Sequence, residues 1–146
     1  MENFIIRRLE PEDTAALVGI YKSITQTPDV AAFEKMINDL ARIKSHACFV
    51  ALSQDRVIGY IVSYYLTVSF GIHKSAWIPM VGVNPEFMGH GIGKKLAETV
   101  FDYYRSRGVQ AVYTTVRWFD GDVLSFFRTL GFNRSEFVNL QKRLDD

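Results

Sequence analysis

Three glycines at alternate positions, Gly89, Gly91 and Gly93, separate an apolar stretch from an amphipathic one. Val81 to Val83 is typical of the end of a buried strand, and Asn84-Pro85 stops that strand. Beyond the glycines, apolar side chains recur at helical spacing: Ile92, Leu96, Val100, Tyr103 and Tyr104. The pattern predicts a strand, a glycine-rich turn and a helix that begins inside the turn.

The charges around this turn favour an anion as its ligand. The first amides of a helix have no helical acceptor, and the helix dipole attracts negative charge to them. Residues 87 to 97 contain no Asp or Glu, whereas His90, Lys94 and Lys95 can carry positive charge. We interpret the turn as a phosphate or pyrophosphate cradle; the alternative is a glycine-rich connection with solvated lysines.

Two common phosphate-binding patterns do not fit the turn. The P-loop pattern fails because Met88 stands at its first glycine position and Lys95 at its final Ser/Thr position. The dinucleotide-binding pattern G-x-G-x-x-G fails because Gly93 comes one residue too early.

The segment Met88 to Gly93 resembles the acyl-CoA loop of the GNAT family of N-acetyltransferases, [QR]-x-x-G-x-[GA]. It matches at both glycine positions, while Met88 replaces the usual Gln or Arg and removes one side-chain donor. A second segment, running from Asp120 through Val123 and Phe127 to Gly131-Phe132, is similar to the family's N-x-x-A-x-x-x-Y-x-x-x-G-F. The two motifs occur in the family's order.

The resemblance implies an acyltransferase that moves an acetyl group from acetyl-CoA, its cosubstrate, to a primary amine by direct attack. It implies that the backbone N–H of Val81 bonds the thioester carbonyl. The residues that it places around the cosubstrate are Val81, Val83, Gly89, His90, Gly91, Ile92, Gly93, Lys94 and Asp120.

Departures from the family pattern leave the acid and the base unassigned. Phe127 stands where relatives place a Tyr that protonates the departing thiolate, and Asp120 stands where they place Asn. The positions that carry carboxylate bases in relatives hold Trp77, Ile78 and Thr115 here. A low-pKa amine or a water chain would make a dedicated base unnecessary.

Other readings of these residues stay open. His73, Tyr64 and Tyr113 could relay protons but fit structural or surface positions better. A catalytically weak acyl-CoA-binding sensor or regulatory module is an alternative to the enzyme, and a glycine turn that binds nothing is a third possibility. The acceptor site is expected near the polar break at 25–29 and the aromatic-rich residues 64–73.

The family fold is an α/β (α+β) arrangement: a mixed, mostly antiparallel central sheet with a splayed central strand, flanked by about four helices. Pro79 and Gly82 are compatible with that splayed strand, since Pro cannot donate to a ladder and marks an edge, an end or a bulge. The sequence predicts strands at 4–9, 47–52, 57–70, 77–83, 110–117 and 132–144. It predicts helices after Glu10-Pro11, at 30–43, from Gly91 or Ile92 to about Arg107, and at 120–130.

The length predicts a single domain, and the resemblance implies that it is one acetyltransferase domain over residues 1–146. Hydrophobic content of 48% is ordinary for a soluble protein, and the net charge of +1 gives no electrostatic case for nucleic acid or an anionic membrane. No metal is expected. No apolar run approaches the ~20 residues of a membrane span. The single cysteine, Cys48, lies in an apolar run and is expected to be a buried, inert thiol in a reducing cytoplasm. A homodimer is possible.

Overall fold

A five-stranded sheet, with its strands in chain order, is the frame of the fold. The computed structural model describes residues 3–68 and 74–145. Neighbouring strands are antiparallel except for the last pair, which is parallel. The strands are β1 (Ile5–Arg8), β2 (Phe49–Ser53), β3 (Arg56–Leu66), β4 (Ser75–Val83) and β5 (Val112–Tyr113).

Four α-helices accompany the sheet in the described ranges: α1 (Thr14–Ile24), α2 (Val30–Ala41), α3 (Ile92–Arg105) and α4 (Gly121–Thr129). Short 3-10 turns at Pro11–Asp13 and Pro85–Phe87 precede α1 and α3, each with a proline in its first turn. None of the helices in the described part of the chain combines the length and the apolar character of a membrane span. The predicted α/β class, with a mostly antiparallel sheet and about four helices, is confirmed.

The chain divides into two compact units, residues 1–115 and residues 116–146. The first contains the whole sheet and the helices α1 to α3, and the second contains α4. The prediction of a single acetyltransferase domain over residues 1–146 stays a prediction.

Helices cover both faces of the sheet in the first unit. Along β3, Tyr60 and Val62 belong to a core cluster that includes the buried faces of α1 and α2. Gly59, the residue before Tyr60, faces α3 instead, because a Cβ there would lie 3.1 Å from Ile92 and 3.4 Å from Leu96. Since successive strand residues point to opposite faces, α1 and α2 pack on one side of β3 and α3 packs on the other.

A buried hydrogen-bond network ties α3 to the sheet. The hydroxyl of Tyr104 accepts a hydrogen bond from the backbone N–H of Ala47 at 3.0 Å and lies 2.6 Å from the Ser63 hydroxyl. Ser63 in turn donates to the Ala47 carbonyl at 2.5 Å. Because each polar group has a partner, the network fixes the position of α3 against β3 without an unsatisfied buried hydroxyl.

Two strand predictions were wrong: one strand is shorter than predicted, and the other does not form in the described residues. The strand predicted over 110–117 is reduced to Val112 and Tyr113. The Thr114 hydroxyl donates a hydrogen bond to the Ile78 carbonyl at 2.7 Å, at the point where backbone pairing with β4 would otherwise continue. No strand forms over 132–144 in the part of the chain that the structure describes. Val138, Leu140 and Leu144 would share one face of a strand, but they are 79%, 87% and 84% exposed. The segment therefore buries no apolar face that would offset the entropic cost of ordering a strand.

A bidentate ion pair fixes the connection from β1 to α1. The Arg7 guanidinium donates to both carboxylate oxygens of Asp13 at 2.8 Å, and the Glu10 backbone N–H donates to the same carboxylate at 2.8 Å. Burial raises the pKa of Asp13, but the bonds from Arg7 and Glu10 outweigh it and the net pKa lies below its ordinary value. The pKa of Arg7 is raised, because the hydrogen bond to Asp13 raises it by more than burial lowers it.

We predict that Asp13→Asn lowers the free energy of unfolding by about 2 kcal/mol at neutral pH, because it removes charge-assisted hydrogen bonds from a buried site. The depressed pKa means that this contribution is present above the ordinary value of 3.8 and is lost as the pH falls. Urea unfolding of both proteins between about pH 3 and pH 7 measures the effect. The difference should shrink on acidification.

Asp102→Asn is the matched control. Asp102 also pairs with an arginine at 2.8 Å, but its side chain is 77% exposed, so the change should be below about 0.5 kcal/mol. Equal effects of the two substitutions would contradict the structural role of Asp13.

Candidate functional site

The glycine turn connects the end of β4 to the start of α3. The Asn84 side chain accepts a hydrogen bond from the Glu86 N–H at 2.9 Å, which starts the 3-10 turn that ends β4. Gly89 and Gly91 then adopt φ angles of +84° and +78°, a left-handed region that residues with a Cβ rarely occupy. Gly91 is the N-cap of α3, so the predicted helix start inside the turn is confirmed.

The first turn of α3 presents unpaired backbone donors. Its first helical hydrogen bond runs from the Lys95 N–H to the Gly91 carbonyl at 3.0 Å. The amides of Ile92, Gly93 and Lys94 precede that bond and have no helical acceptor, and the N-cap, Gly91, has no side chain that could cap them. With no acidic residue in the first turn, the helix start is suited to an anion.

Open space lies beside the turn. A Cβ built on Gly89 or on Gly91 would meet no described atom within 4 Å. Both residues are exposed, as are His90 and Lys94. The residues present therefore fit a phosphate-bearing ligand: backbone donors, flanking basic side chains and room for close approach of the ligand to the backbone.

In β4, the backbone N–H and C=O groups of two residues point away from β3. The Asn84 N–H donates to the Ile58 carbonyl at 2.8 Å, and the register continues with Val83 opposite Gly59. Opposite residues in an antiparallel ladder alternate between hydrogen-bonded and non-hydrogen-bonded pairs. Val83 and Val81 therefore belong to non-hydrogen-bonded pairs, and their N–H and C=O groups point to the far edge of β4.

That far edge is unpaired because β4 bulges and β5 ends early. The register with β3 jumps from Met80 opposite Val62 to Trp77 opposite Tyr64. Two residues, Ile78 and Pro79, thus face one, which is a β-bulge on β4. The pairing with β5 covers only Ala76 and Trp77, so the backbone from Met80 to Val83 has no β5 partner among the described residues. This agrees with the predicted splayed central strand.

The predicted site residues divide between the two units. Val81, Val83 and the turn from Gly89 to Lys94 lie along one continuous path in the first unit. Asp120 lies in the second unit, where its carboxylate accepts a hydrogen bond from the Val123 N–H at 3.2 Å and caps α4. A D-x-x-V segment before an apolar run is a helix N-cap signal, so this structural role could have been read from the sequence. The predicted role of Asp120 toward the cosubstrate stays a prediction.

Phe127 is buried in the second unit, with ring centroids 5.2 Å from Phe126 and 5.1 Å from Phe132. These edge-to-face contacts show that the Phe127 ring packs within its own unit. Its predicted position near a departing thiolate stays a prediction.

No carboxylate or imidazole lies on β4 or β5, whose residues are apolar, aromatic, hydroxyl-bearing, proline or glycine. Trp77 on β4 stacks on Tyr113 of β5, with ring centroids 5.2 Å apart. Burial raises the pKa of Tyr64, which removes it further from a role as base at neutral pH. His73 lies outside the described residues.

One ionisable side chain that the sequence analysis did not single out has a defined partner. The Nδ1 atom of His46 accepts a hydrogen bond from the Tyr65 N–H at 2.9 Å. Burial lowers the pKa of His46, and the nearby positive charge of Arg8 lowers it further. His46 therefore holds the backbone of β3 as a neutral imidazole.

The expected burial of the cysteine thiol is confirmed. Cys48 is a free, buried cysteine at 2% exposure. Burial raises the pKa of its thiol to about 11, so the nucleophilic thiolate is scarce at neutral pH.

Comparison with known sequences identifies relatives of this chain. It is 33% identical over 86 residues to N-alpha-acetyltransferase 30 of Schizosaccharomyces pombe, covering 59% of this chain and 57% of that protein. It is 38% identical over 63 residues to N-alpha-acetyltransferase RimI of Mycobacterium tuberculosis, covering 43% of this chain and 36% of that protein. The matches thus span about a third to somewhat over half of the relatives' lengths.

Comparison with solved structures supports the fold. Aminoglycoside N-acetyltransferase AAC(6')-Iy in complex with CoA matches with a TM-score of 0.84 at 16% identity, over 97% of this chain and 95% of that one.

The sequence profile of the Acetyltransferase (GNAT) family matches residues 14–132, well over half of the chain. The chain belongs to the GNAT family of acetyltransferases.

Proposed function

We propose that this protein binds acetyl-CoA along β4 and the glycine turn and transfers the acetyl group to an amine. The observation that carries the proposal is the continuity of two sets of unpaired backbone donors, at the far edge of β4 and at the start of α3. One ligand with an extended amide-bearing arm and a pyrophosphate matches both sets. Acetyl-CoA supplies an activated acyl group when bound.

Each part of the path has a distinct task in the proposal. The amides from Gly89 to Lys94 hold the pyrophosphate, with His90 and Lys94 adding positive charge. Val83 and Val81 pair with the pantetheine arm as a neighbouring strand would. The Val81 N–H donates to the thioester carbonyl, and a donor at such a position is worth about 3 kcal/mol where negative charge develops.

We propose a polypeptide α-amine as the acceptor. The curated relatives reported above are named N-alpha-acetyltransferases, whereas the aminoglycoside enzyme shares only the fold at 16% identity. An α-amine has a pKa of about 7.7–8.0 against about 10.4 for Lys, so at pH 7.5 about a third of it is neutral, against about one Lys in a thousand. Such an acceptor suits strands that carry no carboxylate or imidazole base.

The test is release of free CoA thiol from acetyl-CoA with three acceptors. The first is a peptide with a free α-amine and no Lys, the second is the same peptide with a blocked N-terminus and one Lys, and the third is an aminoglycoside. Turnover restricted to the first supports the proposal, and preference for either other acceptor overturns the acceptor class. CoA binding without turnover on any amine would identify the acyl-CoA sensor instead.

A cytoplasmic location and a possible homodimer stay predictions from the sequence.

We predict that Gly91→Val abolishes CoA binding while the fold persists. A valine at φ +78° is strained by roughly 1–2 kcal/mol, and its side chain would fill the open space next to the α3 amides. Calorimetric titration with CoA and thermal unfolding by circular dichroism measure the two effects. The wild type should gain roughly 2.7 kcal/mol of stability at a hundredfold excess of CoA over its dissociation constant, and the variant should gain none.

Gly108→Val is the matched control for this variant. Gly108 has the same φ of +78° but follows the other end of α3, where the one described atom that a Cβ would meet within 4 Å is the Lys74 amine, at 3.5 Å. It should be destabilised comparably and still bind CoA. Normal CoA binding by a folded Gly91→Val protein would place the phosphate site elsewhere.

We predict that Phe127→Tyr raises kcat by up to about tenfold if thiolate departure limits turnover, since a positioned acid contributes a hundredfold or more in evolved sites. The site around Phe127 has not been shaped for a hydroxyl, so the gain is smaller. Turnover and melting temperature are measured together. Phe126→Tyr, one residue away and only partly buried, should change neither.

A loss of stability of about 1–3 kcal/mol in Phe127→Tyr without a rise in kcat would show an unpartnered buried hydroxyl. That result would contradict the placement of Phe127 beside the thiolate.

A further inference from the structure

Tyr60 is a buried tyrosine whose ring crosses from β3 to β4. Only 1% of its surface is exposed, and its ring meets that of Phe33 edge to face at 5.8 Å. Phe33 in turn stacks on Tyr21 at 4.1 Å with an interplanar angle of 3°. This aromatic series holds the Tyr60 ring in one position, so the location of its hydroxyl is determined by core packing.

The Tyr60 hydroxyl makes no hydrogen bond to any residue in the described ranges. Other buried tyrosines do: Tyr21 accepts from the Asp29 N–H at 3.0 Å, and Tyr104 bonds to Ala47 and Ser63. The Tyr60 oxygen is not fully enclosed, so a small part of its surface is accessible. A hydroxyl with this environment is available to a ligand.

Gly82 determines where that hydroxyl emerges. A Cβ on Gly82 would lie 2.6 Å and 2.7 Å from Tyr60 ring carbons and 2.8 Å from the hydroxyl oxygen. The absence of a side chain at Gly82 therefore lets the hydroxyl lie directly on the backbone of β4. Gly82 lies between Val81 and Val83, the two positions whose backbone groups point to the unpaired edge of the strand.

We propose that the Tyr60 hydroxyl is a further binding group for the acyl-pantetheine arm of the cosubstrate and donates a hydrogen bond to one of its carbonyl oxygens. This inference rests on the proposed function, which places that arm along β4. An arm that pairs with Val81 and Val83 passes Gly82, where the hydroxyl supplies a donor from outside the plane of the sheet.

The ionisation of Tyr60 supports a donor role. Burial raises the pKa of Tyr60, and the neighbouring Tyr21 raises it further, so the hydroxyl keeps its proton. A neutral phenol in this position acts through its hydrogen bond and does not serve as a base.

The test is the affinity of Tyr60→Phe for two ligands. The substitution keeps the ring that packs on Phe33 and Gly82 and removes only the hydroxyl. We expect the dissociation constant for acetyl-CoA to rise about five- to tenfold, because the variant loses one hydrogen bond to the ligand. The dissociation constant for adenosine 3',5'-bisphosphate, which lacks the pantetheine arm, should not change. Calorimetry measures both.

The melting temperature of the free protein separates ligand binding from a structural role. Because the hydroxyl has no partner among the described residues, Tyr60→Phe should melt at or above the wild-type temperature. Tyr21→Phe is the matched control: it removes the bond to the Asp29 N–H, should melt lower, and should bind acetyl-CoA as the wild type does.

Several results would overturn the inference. An unchanged affinity of Tyr60→Phe for acetyl-CoA would do so, as would equally weakened binding of acetyl-CoA and adenosine 3',5'-bisphosphate. A raised KM for the amine acceptor with unchanged affinity for acetyl-CoA would also overturn it. These outcomes concern Tyr60 alone, whereas a wild-type protein that binds neither ligand would contradict the proposed function itself.

Discussion

The site depends on one strand, β4, that is paired along one edge and unpaired along the other. Backbone N–H and C=O groups strongly favour hydrogen-bonded partners, and an open strand edge offers a template for another extended chain. The bulge at Ile78 and Pro79 and the early end of β5 leave the outward-pointing backbone groups of Val81 and Val83 without a partner on β5 among the described residues. The fold thus leaves part of one edge of β4 without a neighbouring strand, and that edge is available for binding.

The second half of the site follows from the first, because α3 starts where β4 ends. Two glycines with positive φ, Gly89 and Gly91, turn the chain from β4 into α3, whose first amides have no helical acceptor. The Tyr104 network and the contact of α3 with Gly59 hold the helix against β3. The donors are consequently preorganised by the core, which lowers the entropic cost of ordering them around a ligand.

Much of this could be read from the sequence, because local rules determine it. Alternate glycines between an apolar run and a helical stripe permit few conformations, and a proline within a strand predicts an irregularity. The short β5 could not be read, because the Thr114 side chain competes with the backbone for the Ile78 carbonyl, which is a tertiary contact. The absent strand over 132–144 and the unpartnered Tyr60 hydroxyl likewise depend on what packs nearby, which no local pattern encodes.

The most direct measurement of the central claim is a titration of the isotopically labelled protein with CoA, followed by amide NMR shifts. We predict that the largest changes occur at the amides of Val81, Val83 and the turn from Gly89 to Lys94. Amides of the outer strands β1 and β2 should change little. Saturable binding with its largest shifts away from β4 and the glycine turn would contradict the account, as would the absence of any shift at about millimolar CoA.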